Sequence, residues 1–254
     1  NSKLNNNVVL CMIEKDSHIW IGTDGGGINI LNPETHEISI LEHVPGDQYS
    51  FTCNSILSLY NDANNNMWVG SIRNGLIGIK EVSMKTYTEV PLGDCNGLSD
   101  NTVLCLYRDP SEDEIWIGTD GGGINKLNPS TEKFTHYSNT TGKKVASISG
   151  FTSSELLLSV FSKGLYTLSK KTGKINPLKI HDEYINQMLL YSGKTINIYQ
   201  YEPETVLILG DRIYQYTIAT GNARVVTEEQ GIEITGTLVP VSHDARATYL
   251  FDAQ

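Results

Sequence analysis

The sequence predicts an all-β fold, a β-propeller of about five to six four-stranded antiparallel blades, from three observations. First, Trp20, Trp68 and Trp116 recur at a spacing of 48 residues, each inside one repeated phrase: HIWIGTDGGGI, NMWVGSIRNGL and EIWIGTDGGGI. Second, short runs of Val, Ile, Leu, Tyr and Trp alternate with clusters of Asn, Asp, Gly, Pro and Ser, the punctuation of strands and tight turns. Third, no stretch holds a helical period long enough to predict a helix.

Each unit divides into four strands. The third unit serves as the pattern. A first strand at Thr102–Tyr107 is followed by the polar turn DPSEDE and a second strand at Ile115–Gly118. A glycine turn leads to a third strand at Ile124–Leu127, and the turn NPST to a fourth at Lys133–Tyr137. First strands are apolar on both faces, with Val103 and Cys105 on one and Leu104 and Leu106 on the other. That is the pattern of a sheet packed between two others. The whole of 1–254 then forms one propeller segment, with units at about 7–48, 54–93, 101–140, 144–182 and 193–228 and a partial one at 232–254. In the fourth unit, ELLLSVFSKGL places Leu157 where the tryptophan stood; in the fifth, TVLILGDRI places Leu207 there. Five and a half units leave sheet edges unpaired, so the expectation is an open segment of a seven- or eight-bladed ring.

The doubled phrase IGTDGGGIN could cradle a phosphate or turn a corner. A phosphate loop opens a helix, whereas a strand follows here. Gly27, Gly75, Gly123 and Gly164 recur at one place, which predicts a positive φ at a tight turn between second and third strands. Small residues also recur, as Cys11, Ser58, Cys105 and Ser147, where innermost strands are expected to crowd together.

Composition narrows the function. A net charge of -10 and a pI near 5.0 argue against nucleic acid or an anionic membrane as partner. No apolar run reaches the roughly 18 residues of a spanning helix. The opening NSKLNNN is not a signal segment, so an export signal would lie outside this sequence. Cys11, Cys53, Cys95 and Cys105 lack metal-binding spacing and read as free thiols, with a Cys53–Cys95 bridge the alternative.

Catalytic signatures are missing: there is no G-x-S-x-G elbow, H-E-x-x-H or Walker sequence, and the six histidines are scattered. No catalytic residue, metal ligand or cofactor is expected. DANNNMWVGSIR alternates Asp62, Asn64 and Asn66 like a calcium loop, but Met67 stands where such a loop needs glycine and Arg73 where it needs glutamate. A hairpin turn is the better reading. The tryptophans read as packing residues between blades, with a sugar-stacking platform as the alternative.

NTVLCLYRDPSEDEIWIGTDGGGINKLNPSTEKF resembles the two-component regulator propeller repeat. The first and third units match it closely, the second well, and the fourth and fifth in outline. The resemblance implies the periplasmic sensor region of a Bacteroides-type hybrid two-component system, an inner-membrane receptor whose kinase and regulator domains lie elsewhere. It further implies an oligosaccharide ligand, contact with the remainder of the receptor ectodomain, and a homodimer in the full-length receptor. No nucleic acid would be bound through this segment.

A ring of identical loops cannot shape an asymmetric ligand, so binding residues should stand where the copies differ. Around the glycine turns these are Asp24, Arg73, Asn74, Asp120, Lys163 and Arg212. They suit sugar hydroxyls, and the cations suit the carboxylate or sulfate of an anionic sugar. The alternative for any one of them is a solvated loop. Two other function classes stay open: a propeller enzyme acting on polysaccharide, as lyase or glycosidase, and a protein-interaction scaffold.

Overall fold

The computed structural model describes residues 3–45, 50–80, 83–91, 94–109, 112–191, 195–226, 237–243 and 248–253. The first sheet comprises β1 (Val9–Lys15), β2 (His18–Thr23), β3 (Ile28–Leu31) and β4 (Ile38–Leu41). The second holds β5 (Ile56–Asn61), β6 (Met67–Ser71), β7 (Leu76–Lys80) and β8 (Ser83–Tyr87), and the third β9 (Val103–Arg108), β10 (Ile115–Thr119), β11 (Ile124–Asn128) and β12 (Lys133–Tyr137). The fourth holds β13 (Val145–Gly150), β14 (Glu155–Val160), β15 (Gly164–Ser169) and β16 (Ile175–Pro177). In the fifth are β17 (Asn197–Glu202), β18 (Thr205–Leu209), β19 (Ile213–Thr217) and β20 (Asn222–Val225). These five are four-stranded antiparallel sheets with strands in chain order, arranged as a β-propeller.

A further sheet pairs β21 (Thr237–His243) with β22 (Thr248–Ala253). It falls within the expected partial unit at 232–254, of which 232–236, 244–247 and 254 lie outside the described residues. The expected open segment of a larger ring is corrected at this point. In the structure β21 lies against β17 on one side and β1 on the other, so the innermost strands follow one another in a circuit.

Blade-to-blade contact is set by two small residues facing each other. Cys11 pairs with Gly22, Ser58 with Gly70, Cys105 with Gly118 and Ser147 with Ser159. A side chain on these glycines would run into the next blade. A Cβ on Gly22 would stand 2.5 Å from Cys11 Sγ and 2.9 Å from Ile56 Cγ2; on Gly70, 2.5 Å from Val103 Cγ1; on Gly118, 2.7 Å from the Val145 carbonyl oxygen. In blades one, three and four the small residue then donates forward to a main-chain carbonyl of the next inner strand, whereas Ser58 Oγ of blade two is buried with no hydrogen-bond partner. Cys11 Sγ reaches Ile56 O at 3.7 Å, Cys105 Sγ reaches Val145 O at 3.6 Å, and Ser147 Oγ reaches Ile198 O at 3.4 Å. A register shift in the ladder accompanies each small residue, between Val9 and Cys11, Ile56 and Ser58, and Val145 and Ser147. Such a bulge re-aims a side chain.

The tryptophans pack forward as well. Trp68 is 1% exposed, in one cluster with Val103, Ile115 and Ile117 of the third blade; Trp116 is 0% exposed, among Val145, Leu156 and Leu158 of the fourth. Asp62 secures Trp68, accepting the indole N–H at 2.9 Å and the amides of Asn64 and Asn66, both at 2.9 Å. Burial alone would raise the Asp62 carboxyl, but the donors from Asn66, Trp68 and the two amides bring it below the usual carboxylate value. The Asn-rich segment is thus a hairpin turn folded around a carboxylate. In the first blade the corresponding turn is only Asp16–Ser17, both at positive φ (50° and 59°), and Trp20 is half-buried. Asp16 is turned to Lys15 and Asn65 there, away from any indole.

One helix departs from the sequence expectation: α1 (Glu183–Tyr191), in the link between the fourth and fifth blades. It is a little over two turns long, too short for its period to stand out. Asp182 caps it, its carboxylate accepting the Ile185 amide at 3.1 Å. Ile185 and Leu189, four residues apart on one face, are 2% and 3% exposed in the core shared with Leu165 and Ile196.

Two predictions follow from this packing. Trp68→Ala should lower the unfolding free energy by about 3–5 kcal/mol, the range for a buried large aromatic, and Trp20→Ala by clearly less. Asp62→Ala, which leaves a buried indole N–H unpaired, should lower it by about 1–3 kcal/mol. The Asp62 share of stability is present above the unfolded carboxyl value and fades as pH falls through the lower folded one, so the parent–variant gap in urea midpoint should shrink in acid.

All four cysteines are free. Burial pushes the Cys11 and Cys105 thiols up to about 12. Iodoacetamide at pH 8 should therefore label exposed Cys95 first, and Cys11 and Cys105 only after denaturant is added, as read by peptide mass spectrometry. Labelling of Cys11 in the native protein would mean that the inner strands open.

Candidate functional site

The turns between second and third strands gather at one end of the ring. Asp24 N donates to Val8 O, Ile72 N to Ser55 O, Asp120 N to Thr102 O and Phe161 N to Lys144 O, each tying a turn to the start of its own inner strand. The turns also meet the links between blades. Gly25 N and Gly27 N donate to Asn54 O, Gly75 N to Asn101 O, and Gly142 N to Gly121 O. The repeated asparagines cap these links: Asn54 Oδ1 accepts His43 N at 2.6 Å and Asn101 Oδ1 accepts Glu89 N at 2.7 Å. Their role is structural.

Each turn closes on one glycine carbonyl. The Thr23, Ser71 and Thr119 hydroxyls donate to the carbonyls of Gly27, Gly75 and Gly123 at 3.0, 2.7 and 2.9 Å. These glycines have φ of +66°, +76° and +81°, as the repeat predicted.

Within this frame the six candidates differ in how much of the side chain is already engaged. Asp24 accepts the Ser55 hydroxyl at 2.7 Å. Asp120 forms an ion pair with Lys144 at 2.9 Å, and Asn74 Nδ2 donates to Thr52 O at 3.2 Å. Arg212 is half-buried in the shortened turn of the fifth blade, beside the Asp211–Tyr214 hydrogen bond of 3.0 Å. Arg73 and Lys163 are exposed, and neither side chain has a hydrogen bond or ion pair among the described residues. No bond joins any two of Asp24, Arg73, Asn74, Asp120 and Lys163, so they form a rim of separate groups.

Arg73 is the most informative of them. It stands where the first and third turns have Gly25 at φ +94° and Gly121 at φ +114°, and it adopts φ +65° itself. A left-handed backbone is unfavourable for a long side chain. The turn therefore carries strain that glycine would relieve, as does the fourth turn, where Ser162 holds the same place at φ +54°.

Two cavities open on this end. One, of about 360 Å³, is lined by Glu89, Ser99, Asp100, Gly122 and His136. Burial raises the Asp100 carboxyl there, the Thr102 amide draws it back, and the Asp120 charge adds to the rise. The other, of about 250 Å³, lies between Lys163 and α1, with Lys179, Glu183 and Leu190 on its walls. The sequence reading missed the part of α1 in this site because the helix lies in a link that the repeat does not cover. Among the described residues no three His, Cys, Asp or Glu side chains gather as a metal site, and no helix is long and apolar enough to cross a membrane.

Comparison with known proteins follows the same outline. Residues 3–25, 50–73 and 97–121 match the model of the two component regulator propeller, and the three matched segments cover the first strand, second strand and intervening turn of the first three blades. No curated protein matches the chain. Among solved structures it is similar to the extracellular domain of a protein of B. thetaiotaomicron assigned as a hybrid two component system, with a TM-score of 0.70 at 19% identity. That match covers 88% of this chain and 30% of the other. PorZ of Porphyromonas gingivalis, a surface component of the type-IX secretion system, matches with a TM-score of 0.66 at 13% identity over 99% of this chain and 34% of its own. A virginiamycin B lyase from Staphylococcus aureus matches with a TM-score of 0.61 at 15% identity over 87% of this chain and 71% of its own. The chain thus spans about a third of the two longer proteins, and at these identities the shared property is the fold.

If the strain at Arg73 is retained for its side chain, Arg73→Gly should not weaken the fold. Relief of a left-handed side-chain conformation is worth about 1–2 kcal/mol, and the larger chain entropy of glycine offsets about 0.5–1 kcal/mol of it. The urea midpoint of Arg73→Gly should equal or exceed that of the parent. A clear fall would show that the arginine serves the fold.

Proposed function

We propose that this chain, built on two component regulator propeller repeats, is part of the ligand-sensing ectodomain of a membrane-bound two-component regulator. Its ligand is an oligosaccharide, and its place is the periplasm. The partners in this reading are the remainder of the receptor ectodomain and a second copy of the receptor, with no nucleic acid bound through this segment. The observation that carries the reading is the match of three blades to the repeat, together with a turn face whose unmatched positions are polar and unlike one another.

Arg73 and Lys163 lead the ligand contacts, with Asp24, Asn74, Asp120 and Arg212 around them. The two exposed cations favour an anionic sugar, because a guanidinium takes a carboxylate or sulfate through paired hydrogen bonds. Binding without turnover suits this face. A hydrolase or lyase acting through paired carboxylates needs them facing each other across a bond, within about 5–10 Å. Asp24 and Asp120 instead belong to blades one and three, tied to Ser55 and Lys144.

The test is calorimetric titration of oligogalacturonides and sulfated oligosaccharides into the intact receptor. Arg73→Ala and Lys163→Ala should each weaken binding by roughly tenfold or more, the loss of one charge-assisted contact of about 1.5–3 kcal/mol. Unchanged affinity in both variants, with folding intact, would place the ligand elsewhere. Release of new reducing ends or unsaturated products from any of these glycans would overturn the non-catalytic reading.

A further inference from the structure

A further cavity lies at the opposite end of the ring, on the side of the turns between first and second strands. It is a cleft of about 690 Å³ between blades three, four and five, within the usual range for small-ligand sites of about 300–1,000 Å³. Tyr107, Phe151, Gln200, Tyr201, Glu202 and Glu204 line it.

Two local departures from the repeat make this cleft. At the end of the inner strand, blades one, two, three and five carry Glu14, Asn61, Arg108 and Gln200; blade four carries Gly150. Gln200 and Tyr107 lean into the space left free, and a Cβ on Gly150 would meet the Gln200 amide and come within 2.8 Å of the Tyr107 hydroxyl. The second departure is Asp109, the counterpart of Asp62. Its loop to the tryptophan is one residue longer, and its carboxylate pairs with Lys170 of blade four. The Trp116 N–H is buried with no hydrogen-bond partner as a result. An unpaired buried donor is unfavourable by about 1–3 kcal/mol. The fold thus gives up its own indole bond and sets a charged pair, 7% and 10% exposed, into the cleft wall.

The lining chemistry restricts what could enter. Lys170 donates to Asp109 and, at 3.1 Å, to Ser153 O, so its charge is compensated. Glu202 and Glu204 are exposed on the rim with no ion-pair partner among the described residues. Burial, with the Asp109 charge beside it, pushes the Tyr107 hydroxyl up and keeps it a neutral donor. Carboxylates, hydroxyls and an amide line the cleft, aromatic rings flank them, and the rim is negative. An anion would be repelled, while a ligand presenting many hydroxyls would find both acceptors and ring faces. We propose that this cleft is a second binding site, for a neutral hydroxyl-rich ligand such as a short uncharged oligosaccharide, separate from the turn face.

The site can be tested apart from the turn face. Maltohexaose, cellohexaose and xylohexaose are titrated calorimetrically, with hexagalacturonate as the charged arm. Thr152→Trp, at an exposed turn beside the cleft, should block it with no change in thermal midpoint, and Gln200→Ala removes a wall. At least one neutral hexasaccharide should bind the parent and lose tenfold or more in affinity in both variants, while Arg73→Ala leaves it unchanged. Failure of all three neutral sugars to bind, parent-like binding by Thr152→Trp, or binding of hexagalacturonate alone to the cleft would overturn the proposal. Loss of hexagalacturonate binding in Arg73→Ala speaks only to the turn face.

Discussion

The ring depends on how closely one innermost strand can approach the next. Where Gly22, Gly70 and Gly118 leave out a side chain, Ile56, Val103 and Val145 press in from the following blade. Cys11, Cys105 and Ser147 then reach a carbonyl of the following inner strand. Each contact is small, yet its geometry fixes the distance at which Trp68 and Trp116 fill the wedge farther out. A propeller blade is a strip that widens from the axis outward, so a change of spacing at the centre is magnified at the rim.

Much of this was legible because it is periodic. The spacing of Trp20, Trp68 and Trp116 gave the blade period, and the turn glycines announced positive φ at Gly27, Gly75, Gly123 and Gly164. Small residues at Cys11, Ser58, Cys105 and Ser147 pointed to crowding, although the forward hydrogen bond could not be read from them. What escaped detection is not periodic. α1 sits in a link, and β21 meets β1 across more than two hundred residues of chain. Its place follows from the curvature of the whole circuit, which no single repeat encodes.

The candidate sites divide along the same line. Arg73 could be singled out because it replaces a glycine that its neighbours keep, and the structure adds the physical reason in its left-handed backbone. Asp24 and Asp120 looked equivalent in sequence but take different partners, because the position each bridges at the start of the next inner strand is Ser55 in one case and Lys144 in the other. The cleft at Gly150 was invisible. Its signal is a missing side chain and one added loop residue, and both become meaningful only once blades three, four and five are set side by side.

The forward contact has a consequence for how such a ring can change over generations. Blades one, three and four address their successors through a main-chain carbonyl, which every residue type supplies, and need only a thiol or hydroxyl of their own to do so. Cys11, Cys105 and Ser147 make the same gesture toward Ile56, Val145 and Ile198 with no matching side chain required in return. At this joint the neighbouring units are free of the paired drift that side-chain locks such as Asp109–Lys170 impose elsewhere. A blade could be copied or exchanged without forcing a change at this joint in its neighbour, and Leu157 and Leu207 stand where other blades have the tryptophan. The joint stays generic while the turns it carries acquire their differences one blade at a time.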